Sequence, residues 1–153
     1  MEEPGAFLAE VMPQLVHEEM ALHDGDADPR IAMWSHREPV TLFGAELTNQ
    51  GWNEIEPAFR WLASTFHHCG SYEYEVLAAG VSGDLAYIVG IEHTTAAMAA
   101  DADPDAYQLR VTTIFRREDD AWKIIHRHGD PLDTSTKEVL SKRSSSRGDL
   151  KAE

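Results

Sequence analysis

Four consecutive β-strands in the second half of the chain constrain its fold more than any other feature. The segments are "SYEYEVLAAGV" (71–81), "LAYIVGIEHTTA" (85–96), "YQLRVTTIFRRE" (107–118) and "AWKIIHRHGD" (121–130). Polar turn residues join them: "SGD", the loop "ADADPDA" and the tight turn "DD". Short connections of this kind predict two antiparallel hairpins that follow one another in a single sheet.

The first half of the chain is predicted to be mainly helical. Apolar residues recur at helical spacing over 6–23, where Pro13 should kink or restart the helix, and over 49–70, which Gly70 should end. Between them, 29–35 is typical of a short helix with proline in its first turn, and 38–45 is typical of a short strand. Three helices before a curved sheet bury their apolar faces best inside it. We therefore predict an α+β fold in which a cone-shaped sheet wraps around the helices and leaves a hollow for a ligand.

Charge and composition exclude several classes of protein. The formal net charge is −14, and five of the thirteen Lys and Arg residues lie in the last twenty residues, which leaves 8 bases against 24 acids in residues 1–133. Such a body repels phosphate backbones, so we expect no nucleic-acid partner. No apolar stretch is long enough to span a membrane, and the single Cys69 excludes an internal disulfide. We expect a cytoplasmic protein with one domain over 1–133 and a polar, disordered tail over 134–153.

Several motifs in this order resemble a known family. They are "WSH" followed by "VTLFG", then Gly51-Trp52, and finally "RREDDAWKIIHRH". The chain resembles the SnoaL-like, ketosteroid-isomerase-like branch of the nuclear-transport-factor-2-like superfamily over residues 6–133. It is similar in the same places to the hub domain of calmodulin-dependent kinases. The resemblance implies a cone fold, a small-molecule pocket and a homodimer that pairs through the open sheet. Its members include isomerases, cyclases, dehydratases, epoxide hydrolases and binding modules, so the fold alone does not fix the function.

The candidate catalytic residues are Glu92, Arg110 and His126. The resemblance implies that the face of strand 107–118 with Arg110 and Thr112 points into the cone. A buried arginine needs an anion beside it, and Glu92 on the neighbouring strand is the best internal candidate. That pair is either a structural cross-strand ion pair or part of a ligand site. A shift of one residue in register would instead put His93 inside.

The closing strand contributes two histidines. By strict alternation, His126 and His128 share a face with Trp122 and Ile124. Glu92 with His126 would supply an acid–base pair at neutral pH. His128 lines the pocket in this interpretation, but at the strand end it could instead cap the cone or contact a partner subunit. Two histidines on one face could also chelate a metal, although the resemblance implies a site without metal or cofactor.

The predicted ligand-binding residues are mostly aromatic, which suits a flat apolar ligand. They are Trp34, Phe43, Trp52, Tyr74, Thr112, Trp122 and His128. The alternative for the aromatic residues is a role in the core, which we predict outright for Phe59, Trp61 and Phe66.

Three functions remain open from the sequence. The first is proton transfer of the isomerase, cyclase or dehydratase kind on an apolar, polyketide-like or steroid-like substrate. The second is non-catalytic binding of a carboxylate-bearing ligand through Arg110. The third is an oligomerisation module that pairs through its sheet. The aspartate–tyrosine–aspartate set of the ketosteroid isomerases has no counterpart that the sequence identifies.

Overall fold

The computed structural model describes residues 2–44 and 46–132 of the chain. In chain order the elements are α1 (Gly5–His23), α2 (Asp28–Met33), β1 (Thr41–Gly44), β2 (Leu47–Gln50), α3 (Trp52–Thr65), β3 (Cys69–Ser82), β4 (Leu85–Ala96), β5 (Asp105–Glu118) and β6 (Ala121–Pro131). The predicted α+β cone, a curved sheet wrapped around three helices, is confirmed. The division at residue 133 into domain and tail stays a prediction, because the tail lies outside the described residues. Among the described helices, none is long and apolar enough to cross a membrane.

The six strands form one sheet in the order β2-β1-β6-β5-β4-β3. The long strands β3 to β6 form the predicted antiparallel run, and β1 adds to it in parallel with β6. The predicted strand 38–45 is the first half of a hairpin, since Leu47–Gln50 returns antiparallel to β1. Helix α3 therefore begins at Trp52, later than predicted, where the Glu38 carboxylate accepts a hydrogen bond from the Trp52 backbone N–H at 2.8 Å.

The helices pack on the concave face of the sheet. Phe7 of α1 makes edge contacts with Phe115 and Trp122, at 5.0 and 5.1 Å between ring centroids. Burying large aromatic side chains in this way supplies much of the stabilisation of a small core. Trp34 is also buried, against Phe59 of α3. Pro13 lies inside α1, which continues through it from Gly5 to His23.

A β-bulge in β6 decides which residues enter the cone. Phe115 pairs with Ile124, but the next residue back along β5, Ile114, pairs with His126. Ile125 is therefore an extra residue, and beyond it the alternation of faces is reversed. Trp122 and Ile124 point inward and are buried, while His126 points outward. The expectation that these residues share one face is wrong for this reason.

The pairing of β4 with β5 shows which of their residues face the core and which lie on the outer face. Glu92 is buried and pairs with Leu109, another buried residue. His93 is on the outer face, where its ring lies 3.1 Å from the Glu75 carboxylate. Arg110 and Thr112 are also on the outer face, because their neighbours Leu109 and Val111 occupy the core. The expectation that Arg110 and Thr112 point into the cone is therefore corrected.

Candidate functional site

A cluster of five charged side chains is buried inside the cone. Its members come from four elements and are called the ionic cluster below: Glu18 and Glu19 (α1), Arg30 (α2), Glu92 (β4) and Arg127 (β6). Arg30 donates from Nε to Glu18 Oε2 at 2.7 Å and from Nη2 to both oxygens of Glu19. Arg127 donates from Nη1 and Nη2 to the two oxygens of Glu92, at 2.8 and 2.7 Å. Paired, hydrogen-bonded charges of this kind are the form in which ions persist in a protein interior.

Local sequence explains how each element brings its charge inward. On α1, Glu18 and Glu19 lie between Leu15 and Leu22 on the apolar stripe that faces the sheet. On β6, the bulge places Arg127 on the inner face, and its side chain is 13% exposed. On β4, alternation places Glu92 on the inner face.

Three neutral polar residues extend the cluster. The Tyr72 hydroxyl donates to Glu92 Oε2 at 2.9 Å. His23, one turn after Glu19, has its Nδ1 at 2.7 Å from the Glu19 backbone carbonyl and its Nε2 against the Tyr107 hydroxyl. A carbonyl only accepts, so Nδ1 carries the hydrogen and Nε2 accepts from Tyr107. Burial lowers the pKa of His23 to about 4, so this imidazole is neutral at physiological pH.

The cluster contains one carboxylate more than it has guanidinium groups. Burial raises the pKa of Glu19 to about 8, in spite of the attraction of Arg30, and the neighbouring Glu92 and Glu18 raise it further. Burial also raises the pKa of Glu18. Burial acts in the same direction on Glu92, but the charges of Arg127 and Arg30 and the hydrogen bonds from Arg127 and Tyr72 together outweigh it, and the pKa of Glu92 is lowered. A protonated Glu19 leaves two carboxylates against two guanidinium groups, which makes the cluster neutral.

A cavity of about 50 Å³ lies against the ionic cluster. Its polar wall consists of Glu19, His23, Arg30, Arg127 and Tyr107. The rest of its wall is formed by Leu22, Leu42, Phe43, Gly44, Leu47, Leu62, Phe66, Leu109 and Gly129. A buried carboxyl, two cations and a neutral histidine thus face one small space with apolar sides. Such a space suits a small molecule with one polar end.

The three predicted catalytic residues do not meet. Glu92 is inside the cone, in the ionic cluster. Arg110 is 61% exposed on the outer face and pairs with Asp130 at 3.2 Å, so the expected pair of Arg110 with Glu92 does not form. His126 is on the same outer face, with Nδ1 at 2.7 Å from Thr41 Oγ1. Arg127, which separates the two histidines, takes the place beside Glu92 that the sequence suggested for Arg110.

The predicted ligand-binding residues are distributed over four places. Phe43 borders the cavity, while its ring packs at 5.4 and 5.8 Å from His126 and His128 on the outer face. His128 lies beside Thr112 on that face. Trp34 and Trp122 are buried in the core. Tyr74 is also buried, and its hydroxyl lies 3.4 Å from the Val111 carbonyl oxygen. Trp52 stacks on His36. Among the described residues, no group of three or more metal-ligating side chains is placed to hold an ion.

Sequence reasoning missed most of the ionic cluster. Glu18, Glu19, Arg30 and Arg127 were not among the candidates, nor were His23 and Tyr107. One signal was available in α1, since two carboxylates interrupt an apolar stripe that runs from Val11 through Leu15 to Leu22. A charge at a core position of an amphipathic helix indicates a buried partner.

The fold and the cavity together define a protein of the cone-shaped α+β class with a polar interior. A family model for the SnoaL-like domain matches residues 18–132. The chain therefore belongs to the SnoaL-like family, as the sequence motifs indicated. No curated protein matches this chain in sequence.

Solved structures share this fold at low sequence identity. A ketosteroid isomerase-like protein from Erwinia carotovora atroseptica is 16% identical, with a TM-score of 0.66 over 87% of this chain and 99% of that one. A nuclear transport factor 2-like superfamily protein from Salmonella enterica is 14% identical, with a TM-score of 0.67 over 86% of this chain and 96% of that one. A cystatin-like-fold protein of unknown function from Nostoc punctiforme is 20% identical, with a TM-score of 0.63 over 88% and 97%. At such identities the likeness shows the fold alone.

Proposed function

We propose that this protein binds a small uncharged molecule in the cone and exchanges a proton with it through Glu19. The reaction class is that of an isomerase, cyclase or dehydratase acting beside a carbonyl group. The observation that supports this proposal is the position of Glu19. Its carboxyl is buried, borders the cavity and has a pKa of about 8.

A carboxyl with that pKa exists in both protonation states near neutral pH. General acid–base catalysis is most efficient when the pKa of the catalytic group lies near the working pH. Glu19 as carboxylate would accept a proton from a carbon next to the substrate carbonyl and return it at another position. Arg127 would assist, because its two hydrogen bonds to Glu92 use two of its five N–H groups. An N–H directed at the carbonyl oxygen would stabilise the negative charge that develops there.

The charge of the ionic cluster and the size of the cavity narrow the range of possible substrates. A carboxylate-bearing ligand would compete with the three glutamate side chains that already hold both cone arginines, which disfavours the second function expected from the sequence. Arg110, the residue expected to hold such a ligand, is paired with Asp130 outside the cone. The cavity of about 50 Å³ is much smaller than the roughly 300–1,000 Å³ that drug-sized ligands occupy. It admits a compact molecule, or only the reacting end of a polyketide-like or steroid-like one.

Proton exchange in heavy water tests the proposal without knowledge of the natural substrate. Small ketones such as cyclopentanone would be incubated with the protein in D₂O, and the loss of the α-proton signal followed by NMR. We expect wild-type protein to accelerate the loss above the buffer rate and Glu19→Gln to abolish the acceleration. Glu10→Gln is the matched control, since Glu10 is an exposed carboxylate on the same helix. Binding of the ketone without accelerated exchange would contradict proton transfer and favour a non-catalytic pocket.

We also propose that the outer face of the sheet pairs with a second copy of the chain. A cleft of about 280 Å³ on this face is lined by Leu77, Val89 and Ile91, with the Arg110–Asp130 ion pair also on its wall. Leu77 is 61% exposed, and an apolar side chain beside an ion pair suits a self-complementary contact across a two-fold axis. Light scattering after gel filtration would test it. Leu77→Glu should give monomers, whereas Met20→Glu, on the exposed side of α1, should not. A monomeric wild type would refute the pairing.

A further inference from the structure

Two glycines face each other where β1 runs beside β6, and both border the cavity. Gly44 pairs with Gly129 in the parallel register. A Cβ on Gly44 would lie 1.9 Å from the Gly129 carbonyl oxygen, and the φ of Gly44 is +117°, so glycine is needed there for the backbone itself. Gly129 is different, because its φ is not in the left-handed region and no backbone atom blocks its Cβ.

A side chain at Gly129 would enter the cavity next to the ionic cluster. A Cβ there would meet Val111 Cγ2 at 3.3 Å, Arg127 Nη2 at 3.6 Å and Leu109 Cδ1 at 3.6 Å. These are side-chain atoms on the inner face, and the distances are a slightly tight contact and two ordinary ones. A methyl group therefore fits the fold with a small adjustment of Val111, but it takes up a large part of a cavity of about 50 Å³.

We propose that Gly129 is the specificity-determining residue of the cone: the space left by its missing side chain holds the body of the ligand and sets the upper limit on ligand size. This inference rests on the proposed binding of an uncharged molecule in the cone. The polar end of the ligand lies toward Glu19 and Arg127, and its apolar body lies along Gly129 and Leu109. The ligands selected in this way are compact carbonyl compounds. Their size is limited on the side of the cavity that Gly129 of β6 forms.

A series of ketones that grows by small steps tests the size limit. The probes are acetone, butanone, cyclopentanone and cyclohexanone, and binding is measured by ligand-observed NMR titration. For wild-type protein, affinity should rise about fourfold for each added methylene until the limit is reached. In Gly129→Ala the limit should fall by one or two members. The largest ketone that wild type binds should weaken at least tenfold, while acetone changes less than twofold.

A second variant enlarges the same space. Leu109→Ala removes the side chain that lies 3.6 Å from the same point, so it should extend the limit by at least one member of the series. Gly5→Ala is the matched control, since a Cβ on Gly5 has nothing within 4 Å, and it should leave the whole series unchanged.

The outcomes separate this inference from the function on which it rests. If wild type binds the ketones and Gly129→Ala gives the same profile, or weakens every member equally, the role of Gly129 is refuted and the pocket stands. If wild type binds no member of the series, both the pocket and the role of Gly129 fall. Opposite shifts of the limit in Gly129→Ala and Leu109→Ala would establish the assignment, because a general loss of stability would not shift the limit in both directions.

Discussion

The pH dependence of stability should report the protonation state of Glu19. A carboxyl whose pKa is higher in the folded protein than in the unfolded chain stabilises the fold while it is protonated. The pKa of Glu19 is raised by burial from 4.5 to about 8, so its contribution is complete below about pH 4.5 and is lost as the pH rises through about 8. Glu19→Gln keeps a neutral side chain of similar shape at every pH and should remove this dependence.

The expected magnitude follows from the size of the shift. One pKa unit corresponds to about 1.4 kcal/mol, and between about pH 6.5 and pH 9 wild type should lose about 2 kcal/mol relative to Glu19→Gln. The buried His23 does not interfere in this window. Burial lowers its pKa to about 4, so its contribution is present above about pH 6.5 and is lost only as the pH falls toward 4. Burial raises the pKa of Glu18 as well, and Glu18 is present in both proteins.

Urea unfolding followed by tryptophan fluorescence at several pH values measures this difference. Glu10→Gln, an exposed carboxylate on the same helix, should run parallel to wild type across the range. A stability difference between wild type and Glu19→Gln that does not change with pH would show that Glu19 is ionised throughout. In that case the neutral charge balance of the ionic cluster, and the acid–base role built on it, would both be wrong.

Four further variants, one of them an exposed control, probe the ionic cluster and the sheet that holds it. Arg127→Met leaves Glu92 as an uncompensated buried charge and should lower the free energy of unfolding by about 3–5 kcal/mol. Arg110→Met breaks an exposed ion pair and should lower it by only about 0–1 kcal/mol. Equal losses in the two variants would contradict the faces of the sheet to which these arginines are assigned. Tyr72→Phe removes one donor to Glu92 and should cost about 1–3 kcal/mol in the same assay, so an unchanged midpoint would count against that hydrogen bond. Gly44→Ala should prevent folding, seen as loss of the near-ultraviolet circular dichroism, and a native spectrum would contradict the close approach to β6.

The architecture was accessible from the sequence because local signals and long-range packing agree. Alternation in β3 to β6 and the helical spacing in α3 each predicted the element that forms. The strand β2 was missed because "LTNQ" carries one apolar residue in four and is half of a short edge hairpin. Its pairing with β1 depends on where β1 itself lies, next to β6, and no local pattern encodes that parallel contact.

The candidate site was harder to predict for two physical reasons. The bulge at Ile125 has no glycine or proline to mark it, and yet it reverses the faces of every residue from His126 onward. The ionic cluster joins four elements far apart in sequence, and Arg30 and Arg127, taken alone, resemble ordinary surface residues. Glu92 was identified because alternation in β4 is regular, whereas its partner Arg127 was hidden by an irregularity in the neighbouring strand.

The extra residue in β6 decides which side chains of this strand face the interior, and with them the chemistry of the interior. If β6 took up Ile125 as an ordinary strand residue in place of the bulge, regular alternation would turn His126 and His128 into the hollow and turn Arg127 out toward solvent. The same sequence would then present imidazole in place of guanidinium to a ligand, and Glu92 would lose its partner Arg127. One local irregularity in a strand is, in this architecture, enough to choose which side chains reach the interior, with no change of fold.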